Sequence, residues 1–120
     1  MHRFLIGLFG AVLISSLANA GDYYNAHAYR SFLELKLQIE QIIDRNSSRL
    51  EKGEAKSIKD KMESLSGDLH NRMASLARKE HELLGRGLSV SSLITENNVF
   101  LWKVFNAKIE LEKIRAQVER

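Results

Sequence analysis

The 120-residue chain contains no cysteine and no proline, and only one tryptophan among its few aromatic residues. Each absence excludes something. Without cysteine there is neither a disulfide framework nor a thiolate metal site, so the fold must be held by packing alone. Without proline nothing removes a backbone donor from a helical ladder, and long uninterrupted helices are permitted. Charge of one sign is also scarce. Lys and Arg number 18 against 15 Asp and Glu, a net charge of +3, and six of the basic residues but four of the acidic ones follow Gly85. So weak an asymmetry gives no counterion-release drive, and nucleic acid is not an expected partner.

What is present begins with Met1 to Ala20. His2 and Arg3 precede the apolar run Phe4 to Ile14, and Ser15-Ser16 leads to the small residues of Ala18-Asn19-Ala20. This is the pattern of a secretory signal peptide with cleavage after Ala20. The apolar run is short for a span of about 20 residues, so no stable membrane insertion is expected after processing. A retained anchor, which would make the remainder a tethered rod, is the alternative. Cleavage removes Arg3 and leaves 100 residues with a charge of +2, enough for one domain with its own core. An exported chain of this size without cysteine suits a bacterial periplasm, or secretion.

Three apolar periodicities follow. Ala28, Phe32, Leu35, Ile39 and Ile42 recur at helical spacing, widened by Leu33, Leu37 and Ile43, and predict a first helix over about 23–47 with Asp22 as its cap. Gly53 is a stop and Ser57 the expected cap of a second helix over about 57–84, striped by Ile58, Met62, Leu65, Leu69, Met73, Leu76 and Leu83. Gly67 falls inside that helix and predicts a close crossing, a bend or a break. Gly85-Arg86-Gly87 is the second stop, and one of Ser89, Ser91, Ser92 or Thr95 should cap a third helix over about 92–118. Its stripe is Leu101, Val104, Leu111, Ile114 and Val118, flanked by Phe100, Trp102, Phe105 and Ile109. The two stops lie 34 residues apart, but a single helix fills the interval, so this is one turn chemistry used twice and not a two-helix repeat.

Short turns make consecutive helices antiparallel, and the expected fold is an all-α, up-down-up bundle of three long helices. A helical hairpin that dimerises is the architectural alternative, and a homodimer is compatible with either. The up-down-up order gathers Tyr23, Tyr24 and Tyr29 near Leu83, Leu84, Phe100 and Trp102 at one end. Tyr23, Tyr24, Tyr29, Phe100 and Trp102 are therefore the candidate partner-binding residues, against the plainer reading of a packed bundle end.

No catalytic constellation is present, and Glu80 with Glu82, or Glu110 with Glu112, point to different helix faces at their spacing. No enzyme activity and no cofactor are expected. Of the histidines, His70 and His81 lie too far apart along one helix to share an ion, while His27 and His81 could meet only at the aromatic end. A metal-sensing or metal-carrying role is thus a secondary expectation without an assigned ligand set. In format the chain is similar to small cysteine-free periplasmic helical chaperones of the Spy and CpxP type. That similarity is of size and class: the family's Leu-Thr-x-x-Gln repeats have no counterpart in Leu88-Ser89-Val90-Ser91-Ser92 or Ile94-Thr95-Glu96-Asn97-Asn98, and no residue role passes across. The expected function is protein–protein interaction, as adaptor, inhibitor, chaperone or accessory subunit of an envelope system.

Overall fold

A computed structural model describes residues 23–119, with side chains from residue 26 onward. The leader expected over residues 1–20 and the Asp22 cap lie outside the described residues. Three helices are present: α1 (Tyr23–Arg45), α2 (Glu54–Gly85) and α3 (Ile94–Val118), with short 3-10 turns at Ser47–Arg49 and Ser91–Leu93. They pack on one another as an all-α bundle, and no strand occurs among the described residues.

Contacts between the helices fix the topology. Tyr29 on α1 lies against His70 on α2, and Lys36 pairs with Glu63 at 2.6 Å, so residue numbers fall on α2 as they rise on α1. Lys79 pairs with Glu96 at 3.0 Å and Lys61 with Glu110 at 3.7 Å, which gives the same antiparallel relation between α2 and α3. At the opposite end Asn46 Nδ2 donates to the Val118 carbonyl at 2.9 Å, tying the end of α1 to the end of α3. The order is up-down-up.

The core follows the expected stripes on α1 and α2, whereas on α3 Phe100, expected as a flank, is buried and Leu101, expected in the stripe, is only half-buried, because Phe100 and not Leu101 is in phase with Val104 and Leu111. Phe32, Ile39 and Ile43 of α1, Met62, Leu69 and Met73 of α2, and Phe100, Val104, Leu111 and Val118 of α3 are its largest fully buried side chains. Ala26 and Tyr29 extend the α1 stripe by one turn, whereas Leu37, expected to widen it, stands exposed at the surface. Surface ion pairs add little individually, of order 0–1 kcal/mol; the apolar seam carries the stability.

The turns depart from expectation in instructive ways. Helix α2 begins at Glu54, three residues before the expected Ser57 cap, because Gly53 itself takes the capping position with φ +84°. The Ser57 N–H then donates to the Gly53 carbonyl at 3.0 Å as part of the ladder. Helix α2 runs unbroken through Gly67, which is exposed, and a Cβ there meets nothing within 4 Å. The expected close crossing or break is absent. The second stop closes as a Schellman motif: the Leu88 N–H donates to the Leu83 carbonyl at 2.9 Å and the Gly87 N–H to that of Leu84 at 3.0 Å, with Gly87 at φ +72°. No serine caps α3 directly. The Ser89 hydroxyl instead accepts the Ser91 N–H at 3.1 Å and sets the 3-10 turn from which α3 continues.

Candidate interaction surface

Helix α3 carries apolar residues on two faces. Phe100, Val104, Ala107, Leu111, Ile114 and Val118 recur at intervals of four and three and are all buried against α1 and α2. At about 100° of rotation per residue, Trp102, Phe105 and Ile109 lie about 140–200° round the helix from that core face. They are 65%, 56% and 39% exposed. A helix with a single buried stripe presents polar residues on its far side; this one presents an indole and a phenyl ring.

The two rings brace each other. Trp102 and Phe105 meet edge to face, with centroids 5.8 Å apart and planes at 90°, an arrangement favoured by the ring quadrupoles. Shallow open depressions flank the pair. One, of about 460 Å³, is lined by Phe105, Lys108, Ile109, Glu112, Lys113 and Ala116; the other, of about 480 Å³, by Asn98, Leu101, Trp102 and Phe105. Polar contacts to the neighbouring helices hold the shoulders of α3. Lys108 Nζ donates to Ser31 Oγ of α1 at 2.7 Å, and Glu96 and Glu110 engage α2 through Lys79 and Lys61. The stripe therefore runs along an outer ridge fixed from both sides.

Of the five residues expected to form one aromatic patch, the three whose side chains are described, Tyr29, Phe100 and Trp102, separate. Tyr29 is buried and stacked on Phe32 at 6.3 Å with planes 9° apart, and Phe100 belongs to the core. Both follow the inward stripe of their helix, which the expectation of a shared bundle end did not take into account. The side chains of Tyr23 and Tyr24 lie outside the described residues. Trp102 is left on the open surface, and its companions are Phe105 and Ile109, expected only as flanks of the core stripe. The available signal was their spacing: three and four residues, out of phase with Val104, Leu111 and Val118.

A small polar cluster marks the α1–α2 seam. Burial raises the Tyr29 phenol pKa above its ordinary value of 10.0, opposed in part by a hydrogen bond with Ser66 and by the nearby Lys36. For Lys36, burial is the largest influence and works to lower the pKa. The hydrogen-bonded and paired carboxylates of Glu63 and Glu40 more than offset it, and the ammonium titrates above its ordinary value. Lys36 is largely shielded while the Glu63 carboxylate stays exposed at the rim, so the cluster ties α1 to α2 along the edge of their seam.

Among the described residues the histidine pair considered for a metal and the carboxylate pair Glu80 with Glu82 do not come together. The pairing of Tyr29 with His70 sets His27 and His81 about nine residues apart along the seam, or ~13 Å. Among the described residues no group of three or more His, Cys, Asp or Glu side chains could hold a metal ion. Glu80 is buried while Glu82 is exposed, so that carboxylate pair does not converge. No helix among the described residues is long and apolar enough to cross a membrane. In comparisons with known proteins, no family model, curated protein or solved structure matches the chain significantly.

Proposed function

We propose that this is an exported, non-enzymatic helical protein that works by binding a protein chain along the outer ridge of α3, as adaptor, inhibitor, chaperone or accessory subunit. The observation that carries the reading is the exposed Trp102–Phe105–Ile109 stripe on the face of α3 opposite its core stripe. Single exposed apolar residues are ordinary, but a contiguous aromatic stripe on one ridge marks an interaction surface. Tryptophan is also the side chain most enriched at the energetic centre of interfaces. The leader pattern of residues 1–20 supports export, and a periplasmic or secreted site of action follows from it.

Site-specific photocrosslinking in the producing cells tests this. A photoreactive side chain at Phe105 should capture a defined protein, capture should be lost when Trp102 is also changed to Lys, and the same probe at exposed Asn71 on α2 should capture none. Equal capture from positions 105 and 71, or capture at 105 indifferent to Trp102→Lys, would contradict the reading.

A further inference from the structure

The turn that follows α1 carries a pattern that neither the core nor the ridge uses. Of the seven asparagines in the chain, Asn46 alone has Ser or Thr two residues on, in Asp44-Arg45-Asn46-Ser47-Ser48. Asn-x-Ser, with x other than proline, is the acceptor for N-linked glycosylation when it lies on a surface turn of an exported chain. The structure supplies that turn. Asn46 directly follows Arg45, the last residue of α1, and leads into the 3-10 turn Ser47–Arg49. Ser47 and Ser48 are exposed. An amide nitrogen is a weak nucleophile because its lone pair is delocalised, so the acceptor is defined by its flanks, above all by a hydroxyl two residues on. Asp44 completes the extended acceptor that bacterial transferases read, with an acid two residues ahead of the asparagine. Its carboxylate takes a hydrogen bond from Lys59 at 2.7 Å and stays mostly exposed.

The fold sets when this acceptor is open. In the finished bundle Asn46 is half-buried and its Nδ2 donates to the Val118 carbonyl. Val118 lies 72 residues further along the chain, so on an emerging polypeptide the amide has no such partner until α3 has followed and docked. The amide carries two hydrogens and spends one on Val118; a sugar in place of the other leaves that bond possible. The position also spares the ridge. Val118, level with Asn46, is 13 residues beyond Phe105 on α3, or ~20 Å along the axis.

Resting on the export of the chain and not on the ridge, we propose that Asn46 is a site of N-linked glycosylation whose donor is an oligosaccharide carried on a lipid diphosphate. The bond from Asn46 Nδ2 to the anomeric carbon of the first sugar forms as the bond from that carbon to the diphosphate oxygen breaks. The lipid diphosphate leaves with the electron pair, and Nδ2 gives up one proton to the transferase. Transfer takes place before α3 docks, and the glycan projects from the end of the bundle.

Intact mass spectrometry of the protein recovered outside the cytoplasm of its native cells tests this. A glutamate-specific protease then releases residues 41–51, between Glu40 and Glu51, to map the position. The mass should exceed that of the polypeptide by a whole number of sugar residues, all of them on that peptide. Ser48→Ala and Asp44→Asn should each abolish the addition, and Ser48→Thr, which keeps the hydroxyl, should retain it. Ser48 is exposed, so its replacement by alanine should leave the melting temperature of unmodified protein unchanged and a loss of signal cannot be put down to misfolding. An unmodified chain beginning at Gly21 would overturn the glycosylation and leave export standing, whereas an unmodified chain that retains residues 1–20 would overturn both. Sugar that maps to another peptide, or that persists in Ser48→Ala, would overturn the assignment to Asn46.

Discussion

Gly67 and Gly87 show how differently one residue type acts at two positions. Gly67 sits on the exposed side of an uninterrupted helix with open space where a Cβ would go, so it contributes only backbone freedom to the unfolded chain. Gly67→Ala should raise stability by about 0.5–1 kcal/mol in urea unfolding; a loss would mean that a close approach exists there. Gly87, at φ +72°, is needed by the Schellman turn. Tyr29 supplies the second prediction at this scale. Its folded pKa is raised above 10.0 by burial, so the folded state holds the phenolic proton more tightly than the unfolded state. Stability from that proton is complete below pH 10.0 and declines as pH rises through the folded value. Lys36, also raised, acts in the same alkaline direction from 10.5 upward. Phenolate absorbance should show one tyrosine titrating late, and Tyr29→Phe should remove that fraction; three tyrosines titrating together at the ordinary value would refute the assignment.

At the scale of the element, α3 is the helix whose sequence is hardest to interpret. Helices α1 and α2 each bury one dominant stripe, and the spacing of Phe32, Ile39, Met62, Leu69 and Met73 made that stripe legible without coordinates. On α3 two apolar stripes overlap in the same seven-residue window, and periodicity alone cannot say which faces inward. Packing against α1 and α2 selected Phe100 and Val104, which left Trp102 and Phe105 outside. Two alanine substitutions separate the faces. Phe100→Ala should cost about 3–5 kcal/mol, as removal of a fully buried ring does, whereas Phe105→Ala should change stability by no more than about 0.5 kcal/mol. Comparable losses for both, measured by denaturant unfolding, would mean that the outer stripe is also part of the core. Helix α2 starts ahead of its expected Ser57 cap for a local reason: the left-handed Gly53 both ends one segment and begins the next, so no side-chain cap is needed.

For the whole molecule, the up-down-up topology was legible because two glycine-bearing turns join three long helices, and the pairs Lys36–Glu63 and Lys79–Glu96 register them accordingly. The aromatic cluster was not legible as drawn. Sharing one end of a bundle does not place residues on one surface, since Tyr29 and Phe100 face the core and Trp102 faces away from it. The proposed export also belongs to the scale of the whole chain, and intact mass spectrometry of product recovered outside the cytoplasm should give a chain beginning at Gly21. A mass that retains residues 1–20 would instead favour a tethered rod.

Read as a binding surface, the α3 ridge is open in the single folded chain and covered in the complex it forms. Collisional quenching of Trp102 by acrylamide tests it most directly, on the dilute protein and on the complex isolated from cells. Efficient quenching in the dilute chain and strong protection in the complex are predicted. Protection already present in the dilute chain, or equal quenching in both samples, would contradict the account.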